Sequence, residues 1–399
     1  LIVDAVNNGE LDVAVLDAAV DKIIELTKKA EPVLGGSYTY DSDAHHQLAR
    51  EIASQCMVLM KNDNNVLPLK KDAKVALIGE MAHTPRYQGA GSSLINPIRL
   101  DNAYQTMKDM GINLTFSKGY ELKKAKAKKA MDLILDAKAA AKNADVAVVF
   151  VGLTDEYETE GADRHHLSIP PMHNVLVEEV LKVNPNTVVV LSGGAAVEMP
   201  WADKVPAILN MFLTGQAGGS AVCDILFGDV NPSGKLSETY PLALSDNSSY
   251  NYFPGTTVSV EHRESVYVGY KYYDTAEKQV AFPFGFGLSY TTFEYSDLKV
   301  SADNIKDTDT VTVSFKVKNT GDVDGAEVAQ LYVSDVESTI YRPVKELKGF
   351  KKVFLKAGEE KEIEITLDKR AFAYYNVNIN DWHVESCEFK ILFGVSTRD

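Results

Sequence analysis

Three cysteines in 399 residues are too few and too scattered to staple a fold. Cys56, Cys223 and Cys387 are odd in number, far apart and form none of the close pairs that structural zinc sites use. A disulfide scaffold is excluded; they read as reduced, mostly buried thiols that favour a cytoplasmic home, although a signal peptide would lie upstream of Leu1. Positive charge is short as well. With 41 Lys and Arg against 56 Asp and Glu, the formal charge of −15 repels phosphate backbones and anionic lipid, so no nucleic-acid partner is expected. The one dense basic run, Lys123, Lys124, Lys126, Lys128 and Lys129, sits in a helical stretch from Leu122 to Asn143. It lacks aromatics that could stack on bases and reads as a solvated helix face. No apolar run reaches the ~18 residues of a membrane span, and no membrane partner is expected.

What is present is the composition of a folded protein: 45% hydrophobic and 24% charged residues, with 26 Gly and 14 Pro. At ~150 residues per domain, the length implies at least two cores. The spacing of Val3, Val6, Leu11, Val15, Leu16, Val20, Ile23 and Ile24 is helical from the first residues, as expected of a piece of a longer protein. From Lys74 to Leu213, short apolar runs alternate with helical patterns, the signature of a mostly parallel sheet flanked by helices, an α/β sandwich. The expected strands are 74–79, 113–117, 145–153, 187–191 and 207–212. Near Pro283 the period changes to two. Val311, Val313, Phe315 and Val317 alternate with polar residues, and similar runs at 327–333, 362–367 and 388–393 complete an all-β sandwich. The expected organisation is 1–40 as a leading helical segment, 41–245 as the α/β domain, 246–290 as a linker and 291–399 as the β-sandwich.

Ligands of open α/β sheets collect beyond the carboxyl ends of the strands. Two loops there carry polar chemistry: Tyr87 to Pro97 after the first strand, and Thr154 to His166 after the third. The second crowds Asp155, Glu156, Glu158, Glu160 and Asp163 beside Arg164. Mutual repulsion and a nearby apolar sheet edge could hold one carboxyl protonated as a general acid; a solvated acidic loop is the plain alternative. A metal site is disfavoured, because His165 and His166 are adjacent and point apart and no HExxH or EF-hand spacing occurs. The Gly89-Ala90-Gly91-Ser92 string fails as a dinucleotide fingerprint, since its third glycine would fall at Leu94, which disfavours a flavin or nucleotide binder. Gly228 to Lys235 lacks the P-loop register and reads as a structural turn.

Three groups of strings occur in one order. Gly152-Leu153 precedes Glu156-Tyr157-Glu158-Thr159-Glu160-Gly161 and Asp163-Arg164. Phe227 to Leu236 and Phe282 to Thr291 follow, then Arg342 to Phe350 and Gly394-Val395-Ser396. Together they resemble glycoside hydrolase family 3, especially its β-glucosidases, over essentially the whole chain. The resemblance implies a fibronectin type III-like sandwich and an exo-acting retaining glycosidase that removes terminal β-D-glucosyl residues and needs no cofactor or metal. It assigns the general acid/base to Glu156, with Glu158 next, and a sugar contact to Ser92. The Asp nucleophile would lie on an amino-terminal (β/α)8 barrel that this sequence lacks, of which 1–40 would be the end. The barrel and the β-glucoside are thus the implied partners, and the chain alone is expected to be inactive. Exposed sandwich edges add a homodimer as an expectation. A sugar-binding or scaffolding module without catalysis, or β-xylosidase-type specificity, stays open. His173 and His262 depart from the family pattern, which often has Gln and Tyr there.

Overall fold

In a computed structural model, described for residues 1–37, 39–92, 94–123 and 126–399, the chain divides into two compact units, 1–45 and 46–399. The first holds α1 (Ile2–Asn7) and α2 (Val13–Ala30). Asp12 caps α2 by accepting the N–H of Ala14 at 2.9 Å, and Lys28 and Lys29 sit in its last turn, where they oppose the helix dipole. No residue of α2 is buried; Val15, Ile23 and Leu26 of its apolar stripe all stand exposed. Helix α3 (Ser42–Cys56) then leads into the second unit.

The second unit opens with a six-stranded sheet made of β1 (Val58–Asn62), β2 (Val75–Ile78), β3 (Leu114–Ser117), β4 (Val146–Gly152), β5 (Thr187–Ser192) and β6 (Ala207–Asn210). Its order is β1-β6-β5-β4-β2-β3, with β1 antiparallel and the rest parallel. Every residue of β2, β4, β5 and β6 is buried, because helices cover both faces. Helices α4 (Ala103–Asp109), α5 (Ala127–Lys142), α6 (Pro171–Leu181) and α7 (Gly218–Leu226) form the two layers, α4 against α7 and α5 against α6. The described helix runs from Ala127, so Leu122 and Lys123 of the expected helix lie outside it. Leu122 turns inward to pack on the core, and Lys124 lies outside the described residues. Strand β1 goes unmarked in the sequence reading; it follows α3 at once and is a short, non-alternating edge.

Lys138 of α5 and Lys182 both bond Glu179 of α6. These contacts, Lys138 first, hold the Glu179 carboxyl down at about 2. A depressed carboxyl contributes stability that is complete above the unfolded value near ~4.3 and vanishes as pH falls through the folded one. The pair is solvent-accessible, so at neutral pH Glu179→Gln is expected to cost only about 0.5 kcal/mol. In urea unfolding, that difference should shrink toward zero between pH 5 and pH 2.

After α7, β7 (Tyr240–Pro241) pairs with β8 (Val280–Phe282) across a segment containing α8 (Tyr270–Thr275). The sandwich follows: β9 (Phe293–Val300), β10 (Val311–Asn319) and β13 (Glu360–Leu367) in one sheet, and β11 (Gly325–Asp335), β12 (Glu346–Leu355) and β16 (Phe389–Gly394) in the other. A short helix α9 (Lys369–Phe372) and the hairpin β14 (Tyr374–Asn376) and β15 (Asp381–His383) lie between β13 and β16. Val311, Val313, Phe315 and Val317 all point into its core with Leu331, Val333, Ile363 and Leu367. The Gly228 to Lys235 turn is a joint. Gly234 donates its N–H to Met57 just ahead of β1, Asn231 accepts from Ser289 and Tyr290, and Lys235 pairs with Glu327 of β11 at 2.8 Å.

Candidate active site

Strands β2 and β4 are neighbours, yet the chain leaves β2 toward β3 on one side and β4 toward β5 on the other. That reversal opens a crevice beyond their carboxyl ends, and the two loops singled out in the sequence both start there. Gly79 makes the approach possible: its φ is +108°, and a Cβ on it would lie 2.2 Å from the Phe150 carbonyl oxygen.

Arg86, absent from the sequence reading, organises the floor. Its side chain is only 6% exposed. Nη1 donates to Glu158 Oε2 at 2.6 Å and to the Leu153 carbonyl at 3.2 Å, Nη2 to the Glu158 carbonyl at 2.8 Å, and Nε to Asp155 Oδ1 at 3.2 Å. Glu158 Oε2 also accepts the Gly194 N–H at 2.9 Å. Glu158 therefore ties three segments together. Arg164 lies behind it, donating Nη1 to the Ala196 carbonyl at 3.2 Å, and burial pushes its guanidinium below the usual range. Burial likewise raises the nearby Glu238 carboxyl.

Ser92 and Glu160 meet at the mouth. The Ser92 hydroxyl donates to Glu160 Oε2, and its N–H donates to the same oxygen at 2.7 Å. Glu160 in turn donates its N–H to the Ala90 carbonyl at 3.2 Å. Gly91 has φ +108°, and a Cβ there would stand 2.7 Å from that of Glu160, so the two loops touch at this point. The Ser92 hydroxyl, then its N–H, holds the Glu160 carboxyl below the ordinary carboxylate range.

Glu156 is exposed and hydrogen-bonds to no other described residue; it lines a cavity of 280 Å³ with Met81, Thr84, Arg86, Tyr87 and Leu94. Three of the loop's carboxyl groups have partners of their own: Arg86 takes Asp155 and Glu158, and Ser92 takes Glu160. His166 packs on Tyr157 with ring centroids 5.6 Å apart. Among the described residues, no three His, Cys, Asp or Glu side chains are placed to hold a metal ion, and no helix is long and apolar enough to cross a membrane.

An α/β sandwich with a polar crevice at its switch point, joined to a fibronectin type III-like sandwich, defines a class in which the site is built on loops above a rigid sheet. The match to known proteins makes that class specific. Residues 57–290 match the glycosyl hydrolase family 3 C-terminal domain, and 327–397 match a fibronectin type III-like domain. The chain belongs to glycoside hydrolase family 3. It is 54% identical over its whole length to thermostable beta-glucosidase B of Acetivibrio thermocellus, of which it covers 53%. An exo-alpha-(1->6)-L-arabinopyranosidase of Bifidobacterium breve is 43% identical over the whole chain, again across 53% of the relative. The crystal structure of a Bifidobacterium adolescentis GH3 beta-glucosidase superposes with a TM-score of 0.93 at 44% identity, covering all of this chain and 58% of that one. The Kluyveromyces marxianus beta-glucosidase in complex with glucose gives 0.90 at 28% identity, covering all of this chain and 67% of that one. The chain thus spans about half the length of the curated relatives it matches.

Proposed function

We propose that this chain is the carboxy-terminal part of a retaining, exo-acting β-glucosidase and supplies the general acid/base, while the Asp nucleophile comes from a barrel domain preceding it. The observation that carries the assignment is the Ser92–Glu160 contact. The resemblance puts the sugar against Ser92, and the carboxyl group touching Ser92 is that of Glu160. Glu158 is a poor candidate, because its Oε2 is already engaged by the buried Arg86 guanidinium and the Gly194 N–H, contacts that commit the side chain to holding the loops together. Glu156 is the second reading, supported by its place on the cavity wall.

In the proposed cycle the nucleophile attacks C1 while protonated Glu160 gives its proton to the departing glycosidic oxygen. The resulting carboxylate then takes a proton from water as that water breaks the glycosyl–enzyme bond, which returns both groups to their starting states. Glu160 is held low when only Ser92 and solvent surround it. A retaining pair about 5 to 5.5 Å apart supplies what is missing, since the neighbouring negative charge of the nucleophile raises the acid's pKa.

Two surfaces favour the barrel as partner: the exposed apolar stripe of α2, and Leu94, Ile95 and Ile98 standing open on the Ser92 loop. The chain alone holds one carboxyl of the pair and is expected to leave an aryl β-glucoside intact, while the full-length polypeptide hydrolyses it. Turnover by the purified chain, surviving further purification, would overturn the half-site reading.

A further inference from the structure

Both site loops rest on one buried pair of rings. Tyr120, just beyond β3, is 3% exposed, and its hydroxyl donates to the Phe150 carbonyl at 2.8 Å while accepting the Met81 N–H at 3.3 Å. Its ring lies on the imidazole of His173, with centroids 3.8 Å apart. His173, in the first turn of α6, is 2% exposed and accepts the Gly152 N–H on Nδ1 at 3.3 Å. Met81 belongs to the segment leading to Arg86 and Ser92; Phe150 and Gly152 end the strand leading to Glu158 and Glu160. The pair therefore grips three backbone groups at the roots of both loops.

We propose that Tyr120 and His173 are positioning residues that fix the acid-bearing loop against the Ser92 loop, so that their bonds to Met81, Phe150 and Gly152 set where the acid's carboxyl points. The inference rests on the acid/base reading above. Core packing alone would ask only for shape, whereas here the Tyr120 hydroxyl uses its donor on one loop root and its acceptor on the other. The tolerance is less than a methyl group: a Cβ at Gly152 would lie 1.7 Å from the Ser192 carbonyl oxygen, and one at Gly119 would lie 2.6 Å from Leu176. Burial pushes His173 down to about 3, so the ring stays neutral, with its proton on Nε2 and Nδ1 free to accept.

The test uses Tyr120→Phe, His173→Leu and His173→Gln, whose amide oxygen can still accept from Gly152. In the full-length enzyme, Tyr120→Phe and His173→Leu are expected to lower kcat about tenfold or more on an aryl glucoside with a poor leaving group, and less than about threefold on one with a good leaving group, with KM little changed. His173→Gln should recover most of the loss. Equal losses on both substrates, or none, would overturn the inference, because a merely structural role removes active enzyme without regard to the leaving group. Amide hydrogen exchange on the chain itself gives a second readout. Tyr120→Phe should speed exchange at Ser92 and Gly194, the N–H groups bonded to Glu160 and Glu158. Unchanged exchange overturns the pair's role whatever the kinetics give. Faster exchange, with Glu160→Ala insensitive to the leaving group, supports the pair and overturns the acid assignment instead.

Discussion

Replacing Glu160 by alanine in the full-length polypeptide is expected to lower kcat/KM on an aryl β-glucoside with a poor leaving group by about 10³-fold, roughly 4 kcal/mol of transition-state stabilisation. With a good leaving group, such as a dinitrophenolate, the same variant should lose less than about tenfold at the bond-breaking step, because that oxygen departs without a proton. The contrast between the two substrates is the signature, and it separates the three glutamates. Glu156→Ala should leave both rates within about threefold, as its carboxyl bonds to no other described residue. Glu158→Ala should depress both together, since it strips Arg86 of its main counter-ion and loosens the loop as a whole. A leaving-group effect at Glu156 and none at Glu160 would return the role to the residue that the family resemblance indicated first.

The largest stability effect is expected at Arg86. Arg86→Met keeps the length of the side chain and removes four hydrogen bonds, to Asp155, Leu153 and twice to Glu158. It leaves the Glu158 carboxylate, itself only 20% exposed, with the Gly194 N–H as its remaining partner. Breaking a buried pair from one side costs about 3 to 5 kcal/mol, and the partial access of Glu158 to water places this one near 3 kcal/mol. Adding Glu158→Gln removes the stranded charge, so the double variant should be more stable than the sum of the two single losses implies, by about 1 to 2 kcal/mol. Urea unfolding of the chain, followed through Trp201 in the α/β core, measures this. Strict additivity would show that the guanidinium and carboxylate are neighbours without mutual dependence.

The parallel sheet was legible because strands buried on both faces must be apolar throughout; 145–153 anticipates β4 to within a residue at each end. The sandwich was legible where one face is wet, as in β10, whose polar residues alternate with buried Val and Phe. Strands β9 and β12 were not. Asp297 takes a positive φ inside β9 and breaks its alternation, and Lys348, Lys351 and Lys352 mask the apolar face of β12. For the site, the two loops could be chosen from strand ends alone, but the division of labour among the acidic residues could not. That division is set by a guanidinium about seventy residues upstream and by Gly194 some thirty-five downstream, partners that no local pattern reveals. His173 did show in the sequence as a departure from the family pattern. Its meaning required the fold, which sets it beside Tyr120 and under Gly152.

The central claim, that this chain holds the acid/base of a retaining pair, is tested most directly by adding azide to the Glu160→Ala enzyme with a good-leaving-group β-glucoside. Removing the carboxylate leaves room for a small anion and lifts the charge that would repel it, so azide can attack the glycosyl–enzyme intermediate at C1. The expected result is faster turnover with β-glucosyl azide as product, and no such rescue in Glu156→Ala or Glu158→Ala. An α-configured azide, or rescue confined to one of the other two variants, would contradict it.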